Sequence, residues 1–308
     1  MRVLVTGANG FVGRSAVDAL TRRGHHAVQA VRQAQPNAMV IGSMDANTDW
    51  TEALQGCDAV IHLAARVHQM HDASNNPLDD FRRVNTAGTL RLAEQAIAAR
   101  VRRFIFLSSV KVNGEESSQP YQIGNTPNPQ DPYGRSKLEA EQGLRHLSTG
   151  TDMDLVVIRP VLVYGPGVRA NFQVMMRWLH RGIPLPLASV TDNRRSLVAL
   201  DNLVDLLITC LDHPAAANQT FLVSDGEDLS TADLLRRLGR AMGHPARLFP
   251  VPTGLLRAGA RLLGKGDMAQ RLLGSLQVDI GHTRRTLGWT PPVSVDEGLR
   301  RAAEGFRP

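Results

Sequence analysis

Arg2-Val3-Leu4-Val5-Thr6-Gly7-Ala8-Asn9-Gly10-Phe11-Val12-Gly13 opens the chain, and its reading decides the fold. Residues 2–6 form a short run rich in β-branched side chains, with no room for a helix before the first glycine, so they read as a buried strand. Three glycines follow in the spacing G-x-x-G-x-x-G, then helical apolar spacing through Ala16, Val17 and Leu20 up to a stop at Gly24. Strand, glycine turn and helix in that order bring the backbone amides of a helix N-terminus against a pyrophosphate. A glycine pattern alone is a weak signal; its place directly after an N-terminal strand is what points to dinucleotide binding.

Outward from this turn the chain alternates. Strands are expected at 2–6, 27–31, 38–41, 59–63, 104–108 and 155–158, and helices at 14–23, 50–54, 78–100 and 133–147. Such alternation predicts an α/β fold: a Rossmann-like doubly wound parallel sheet with its ligand at the carboxyl ends of the strands. Beyond Pro160 the pattern loosens into a Gly/Pro-containing loop, an amphipathic helix from Asn171, a strand at 195–200 and helices at 201–211 and 230–242. The expected organisation is a dinucleotide-binding domain over 1–168 and a smaller C-terminal substrate-binding lobe over 169–308, with segments crossing back to the first. The polar, Pro-rich run 114–130 reads as a loop beside the site.

Composition agrees with an enzyme of 308 residues, long enough for a substantial core. Residue 1 falls almost directly in a strand, so no secretory leader is expected, and no apolar run reaches the ~20 residues of a membrane span. Cys57 and Cys210 stand far apart and form no C-x-x-C, which suggests a reducing, cytoplasmic setting. The net charge of +6 fits a diphosphate-bearing ligand, although a usage bias towards Arg explains it equally well. No helix-turn-helix, zinc finger or RNA-binding aromatic motif accompanies the charge, which argues against nucleic acid. His68 and His71 lack the Cys or carboxylate companions of a metal site and read as a polar loop, so no metal is expected.

The second informative feature is Tyr133 and Lys137, in Asp131-Pro132-Tyr133-Gly134-Arg135-Ser136-Lys137. The chain has three Tyr and three Lys, nearly every other cation being Arg, so the pairing carries weight. On a helix, i and i+4 share a face, which brings phenol and ammonium together. The ammonium is expected to pull Tyr133 below its reference pKa of about 10 and make it a proton-transfer group near neutral pH. Arg would present a planar fork instead of a compact point charge. The bland alternative is a surface Tyr beside a solvated Lys.

Together these residues resemble the extended short-chain dehydrogenase/reductase family, in its nucleotide-sugar epimerase/dehydratase branch that includes UDP-glucose 4-epimerase-like enzymes. The resemblance covers essentially the whole chain. It includes Leu63-Ala64-Ala65 after the fourth strand, Asn85 in Val84-Asn85-Thr86-Ala87-Gly88-Thr89, and Phe106-Leu107-Ser108-Ser109 ahead of Gly114. It continues through Arg159-Pro160, Tyr164-Gly165-Pro166-Gly167 and Arg194-Arg195-Ser196. By resemblance, Tyr133 is the acid/base and Lys137 its electrostatic partner and a ligand of the nicotinamide ribose. Ser109 takes the position of the catalytic Ser/Thr, with Ser108 as the alternative hydroxyl, and Asn85 helps to hold the active-site helix. The resemblance assigns the cofactor to Gly7, Asn9, Gly10, Phe11, Val12 and Gly13, to Arg32, Ser43 and Met44 after the second and third strands, and to Leu63, Ala64, Ala65, Tyr133, Lys137 and Pro160. It also implies a homodimer through the 78–100 and 133–147 helices.

The reaction narrows by residue type. Members of the family that are 4,6-dehydratases follow the catalytic Ser/Thr with an Asp-Glu pair; here Val110 and Lys111 stand there, and neither can abstract a proton as a carboxylate does. Hydride transfer at C4 of a UDP-hexose remains, by a 4-epimerase or a 4-keto-sugar reductase of polysaccharide precursor synthesis. The second strand ends in Val31-Arg32, without the carboxylate that NAD-binding members use on the ribose, and Gly42-Ser43-Met44 replaces the common Gly-Asp-Ile. The cofactor is therefore NAD or NADP, with Arg32 favouring NADP. In the substrate lobe, Asn171 matches the family's diphosphate-contacting Asn and Arg195 its phosphate-contacting Arg. Arg271 and Lys111 are further candidates for substrate contact, each with a solvated surface charge as the alternative. The runs 108–114 and 193–202 look like bacterial members acting as UDP-hexose 4-epimerases or UDP-4-keto-6-deoxy-N-acetylhexosamine reductases.

Two other readings stand beside this one. A steroid- or flavonoid-type reductase would not need Asn171 and Arg195, and an NADP-sensing regulator would not need the Tyr/Lys pair. The run 255–276 mixes Leu, Arg and Gly; Gly259, Gly264, Gly266 and Gly274 interrupt a long amphipathic face, so it reads as part of the substrate lobe in preference to a membrane-surface helix.

Overall fold

A computed structural model describes residues 1–67 and 76–307. His68 and His71 lie outside the described residues. Among the described residues ten strands and twelve α-helices follow one another. The first half holds β1 (Arg2–Thr6), α1 (Phe11–Arg22), β2 (His26–Val31), β3 (Met39–Val40), α2 (Thr51–Leu54), β4 (Ala59–His62), α3 (Pro77–Phe81) and α4 (Gly88–Ala98). Then come β5 (Arg103–Leu107), α5 (Pro132–Ser148), β6 (Asp154–Pro160) and β7 (Leu162–Tyr164). The remainder holds α6 (Ala170–His180), β8 (Arg195–Ala199), α7 (Leu200–Asp212), β9 (Gln219–Val223), β10 (Asp228–Leu229) and α8 (Thr231–Ala241), followed by α9 (Thr253–Leu262), α10 (Gly266–Leu273), α11 (Gly281–Leu287) and α12 (Val295–Glu304).

Seven strands form one parallel sheet in the order β3-β2-β1-β4-β5-β6-β9. The order reverses between β1 and β4, and a crevice opens outside their carboxyl ends, where such sheets bind ligands. Successive side chains of one strand serve opposite cores, because the pleat has a period of two. Val3, Val5, Ile61, Ile105 and Ile158 enter the core under α1 and α7, while Leu4, Val60, Phe104, Phe106 and Val157 enter the core under α4 and α5. Both faces being covered explains why these strands read as nearly unbroken apolar runs.

A second sheet, β10-β8-β7, carries the remaining lobe around Tyr164, Phe172, Leu235 and Leu299. The run after Gly114 is tied to this lobe: Tyr121 bridges Val278, and the Ser117 amide donates to the Ser275 carbonyl at 3.0 Å.

The structure departs from the expectations in several places, two of which bear on the site and the sheet. The helix expected over 78–100 is broken into α3, a π-helical turn (Arg82–Ala87) and α4. A π turn inserts a residue into the ladder and re-aims the side chains after it, a feature concentrated at functional sites. Sequence reading also missed β9, which brings residues 219–223 back to the edge of the large sheet beside β6.

Candidate active site

The glycine turn lies where β1 ends. Gly7 takes φ +64°, and a Cβ there would sit 2.9 Å from the Ala64 amide nitrogen, so the turn packs against Leu63-Ala64 backbone to backbone. At Gly13 a Cβ would come within 2.1 Å of the Gly7 carbonyl oxygen, so the first turn of α1 must also be bare. Gly10 caps α1 with extended backbone, no side chain caps that end, and the first turn holds no acidic residue. The first amides of a helix have no intrahelical acceptor, and the dipole makes this end positive. These residues fit a dinucleotide pyrophosphate, and Gly7, Gly10, Gly13, Phe11 and Val12 are the residues that would hold it. Asn9 lies within the same turn.

Beneath the turn, Thr6 Oγ1 accepts from the amides of Leu63 and Ala64, both at 3.1 Å, and meets His62 Nδ1 at 2.6 Å. A hydroxyl already accepting twice must donate its proton to Nδ1, which puts the ring hydrogen on Nε2, facing Thr89 Oγ1 at 2.9 Å. Burial, with the nearby Lys137 ammonium second, holds His62 down to about 3, so it stays neutral. This chain fixes the β4 end on which Leu63, Ala64 and Ala65 sit.

The acid/base helix is placed by its N-terminus. Asp131 caps α5 by accepting from the Gly134 amide at 2.6 Å, and Pro132 occupies the first helical position, a start signal legible in the sequence. Gly134 allows close packing: a Cβ there would lie 2.8 Å from the Lys111 carbonyl oxygen. Asn85, fully buried in the π turn, accepts from the Arg66 amide and donates to the Arg66 carbonyl and to Ser136 Oγ at 3.1 Å. Ser136 Oγ donates to the Tyr133 carbonyl, so Asn85 holds the Tyr133 turn through Ser136.

Lys137 is buried and donates from Nζ to the Leu107 carbonyl at 2.9 Å, with the ammonium 4.5 Å from the centre of the Phe106 ring. This anchors α5 to the end of β5, directly before Ser109. Burial pushes Lys137 down to about 7, and Glu141 opposes that shift. The expected lowering of Tyr133 is overturned: burial, then the Asp131 carboxylate, raises it above its usual value. The reason is that Lys137 reaches down to β5 while desolvation of the phenolate dominates. Tyr133 packs edge-on against Phe81, with ring centres 6.0 Å apart.

The two serines separate clearly. Ser108 is buried and donates to Glu141 Oε1 at 2.6 Å. Glu141 is also gripped by Arg159, at 2.8 Å to Oε1 and 2.6 Å to Oε2, and by Arg145 at 3.1 Å. Burial pushes this carboxyl up, but the Arg159 and Ser108 hydrogen bonds outweigh it and leave Glu141 below its ordinary range. Ser109 is only half-buried, and its oxygen accepts from the Lys111 amide at 3.2 Å. Its hydroxyl proton stays available to a ligand oxygen, as an electrophilic donor requires.

Lys111 is the second correction. Its ammonium pairs with Glu115 at 2.7 Å and also with Asp131, so it is held at the α5 cap and not offered to a substrate phosphate. Burial lowers its pKa, but these two carboxylates outweigh it and leave Lys111 raised. Arg32 is exposed just past β2. Ser43 is exposed as well, whereas Met44 points into the core, leaving only its backbone for adenine. Pro160 is buried at the end of β6, paired in register with Val223.

In the smaller lobe Asn171 lies exposed in the first turn of α6. Arg195 donates to the Gly274 carbonyl at 3.2 Å; burial lowers its pKa, Glu115 and Glu116 oppose that, and Arg271 adds to it. Beside Arg195 a cleft of about 430 Å³ is lined by Glu116, Ser189, Asn193, Thr253, Arg257 and Gly274. The residues sequence reasoning missed are Asp131, Ser136, Glu141 and His62. Asp131-Pro132 is a helix-start signature, and Glu141 follows Lys137 by four on the same helix face; the other two carry no local signal.

The model of the NAD dependent epimerase/dehydratase family matches residues 3–224. The chain is 48% identical over 311 residues to a UDP-glucose 4-epimerase of Vibrio cholerae, covering 99% of this chain and 95% of the relative. It is 29% identical over 328 residues to a UDP-glucose 4-epimerase of Mycolicibacterium smegmatis, covering 100% of this chain and 99% of that one. The crystal structure of the UDP-glucuronic acid 4-epimerase from Bacillus cereus in complex with NAD has the same fold, with a TM-score of 0.78, 21% identity, and coverage of 99% and 98% of the two chains.

Proposed function

The chain belongs to the NAD dependent epimerase/dehydratase family, and we propose that within it the protein transfers hydride at C4 of a UDP-hexose, as a 4-epimerase. The observation that carries this is the anchoring of α5, which bears Tyr133 and Lys137, to the end of β5 two residues before Ser109, in a sheet whose β1 ends in a bare glycine turn. When bound, the nicotinamide supplies the hydride acceptor and, oxidised, a positive charge beside the site. Tyr133 takes the C4 hydroxyl proton as hydride leaves and returns it afterwards; Ser109 donates to the same oxygen. Lys137 holds α5 against β5. Arg195, Arg271 and Asn171 bind the diphosphate and leave the sugar free to present either face. The 48% identity to a UDP-glucose 4-epimerase favours epimerisation over reduction.

Dehydration is disfavoured in this reading because Val110 is buried and Lys111 is engaged by two carboxylates, so no free acid follows Ser109. The family's own description favours NAD. Exposed Arg32, with no carboxylate at the end of β2, supports a second reading in which NADP is the cofactor and the protein a 4-keto-sugar reductase. The two part in one experiment: mass spectrometry of nucleotide released from the purified protein, with an assay of UDP-glucose and UDP-galactose interconversion. Retained NAD and interconversion without added cofactor support the epimerase. An empty site, no interconversion and NADPH consumption with a UDP-4-keto sugar sink it in favour of the reductase. We further propose a homodimer through α4 and α5, which pack side by side on one face of the sheet.

A further inference from the structure

α9 stands out because none of its residues is buried. Leu262 is 89% exposed, Leu263 73%, Leu255 65% and, on α10, Met268 47%. Leu255 and Leu262 are seven apart, two helical turns, and so lie on one outward stripe with Ala258 and Gly259 between them. Leu256 points the other way, into the lobe's core. Gly264 and Gly266 do break the run into two short helices, but the stripe on α9 is complete in itself.

The flank of this stripe is cationic. Arg261 stands about 100° round the helix from Leu262, at one edge of the stripe, and Lys265 follows, while Arg257 turns towards the cleft. From 253 to 268 the sequence holds three cations, Arg257, Arg261 and Lys265, against one acid, Asp267. Arg236 and Arg237 are engaged by Asp233, Glu227 and Asp296, whereas Arg257, Arg261 and Lys265 form no ion pair among the described residues. An outward leucine stripe edged by long cations is the pattern of a helix lying in a membrane interface, where leucines enter the acyl boundary and guanidinium heads stay at the phosphates. A protein partner fits less well. α9 is about 15 Å long, and its apolar stripe amounts to a few hundred Å², short of the ~800 Å² per partner of a stable interface.

We propose that α9, with the start of α10, docks the protein peripherally on an anionic phospholipid surface. Thr253 and Arg257 also line the cleft beside Arg195, so docking sets the mouth of that cleft at the membrane. The inference rests on this surface and not on the catalytic reading, and its test needs no turnover.

The test is co-sedimentation of the purified full-length chain with vesicles of equal parts phosphatidylglycerol and phosphatidylcholine, against vesicles of phosphatidylcholine alone. The expected result is pelleting with the anionic vesicles only, reduced by high salt. Replacing the exposed leucines (Leu262→Glu with Leu263→Glu) should weaken it by an order of magnitude or so, and Arg261→Glu by several-fold. Both variants should keep the wild-type circular dichroism and melting temperature. The proposal is overturned if the wild type stays in the supernatant with both vesicles, or if pelleting is indifferent to these substitutions. It is equally overturned if light scattering finds a dimer that the leucine variant disperses while no vesicle binding occurs, since a second copy would then cover the stripe.

Discussion

In the proposed mechanism Tyr133 carries the chemistry, and its environment works against its acidity. Burial and Asp131 both disfavour the phenolate, and Lys111 partly offsets Asp131 by pairing with it. Tyr133→Phe should lower turnover by about 10²- to 10⁴-fold with substrate affinity nearly unchanged, as steady-state kinetics and calorimetric titration would register. Near-normal turnover would remove Tyr133 from the reaction. The charges around it make a directional pH prediction. Asp131→Asn keeps a helix cap but removes a negative charge, so the acidic limb of kcat should move to lower pH; Lys111→Met leaves Asp131 uncompensated and should move it to higher pH. Equal shifts in one direction would contradict the assignment. His62 gives a stability signature. Its folded value of about 3 lies below the ordinary 6.5, so the unfolded chain binds the extra proton between them. Its contribution is whole above 6.5 and drains as pH falls, by about 1.4 kcal/mol per unit. Lys137, held at about 7 against its usual 10.5, adds slope only above neutrality. Urea midpoints of wild type and His62→Gln, taken downward from neutral pH, should converge as the acid side is approached. At this scale the candidate acid/base pair and the glycine turn were legible in the sequence, because a Tyr/Lys pair at helical spacing and a G-x-x-G-x-x-G run are local patterns. It could not carry the sign of the Tyr133 shift, since desolvation depends on everything packed above the helix.

Elements fix these residues by a few buried polar ties. α5 is held to β6 by Arg159 on Glu141, to β5 by Lys137 on the Leu107 carbonyl, and to the π turn by Asn85 through Ser136. A buried pair contributes little beyond an apolar substitute, but breaking it leaves an uncompensated charge. Arg159→Met should therefore destabilise the fold by about 3–5 kcal/mol, whereas Arg159→Met combined with Glu141→Met should recover much of that loss. A double-mutant cycle by chemical denaturation measures it, and additive losses would mean that the two side chains act separately. The six strands β1 to β6 were legible to within a residue or two, because parallel strands covered on both faces are short unbroken apolar runs. The interruption of the helix expected over 78–100 was not. Arg82-Arg83-Val84-Asn85-Thr86-Ala87 contains no proline and no glycine, and the extra residue in its ladder answers to the buried Arg66 and Ser136 contacts of Asn85. Long-range hydrogen bonds of that kind leave no periodic trace.

At the scale of the whole molecule, the expected division at 168 describes ligands better than it describes the core. One apolar cluster runs from Val3 and Ile61 in the large sheet through Leu203, Leu207 and Leu211 of α7 to Phe221, Leu222 and Val223 of β9 and on to Leu287 and Trp289. The later half of the chain thus supplies an edge strand and most of one covering layer of the earlier half. Sequence reading anticipated returning segments but not which ones, because Gln219–Val223 is a short run after a helix, and nothing local says which sheet it joins. The physical consequence is cooperative. A fragment ending at residue 168 would leave β6 as an open edge and bare the apolar face that α7 covers, an aggregation-prone arrangement. That fragment should be insoluble or molten when expressed alone, with weak near-ultraviolet circular dichroism and dye binding to exposed apolar surface. The full chain should unfold in one transition by both near- and far-ultraviolet signals. A soluble 1–168 fragment with a cooperative melt would mean that the shared cluster is not needed for the dinucleotide half to fold. Two separated transitions in the full chain would carry the same meaning, and the lobe would then be an appended unit and not the second wall of one core.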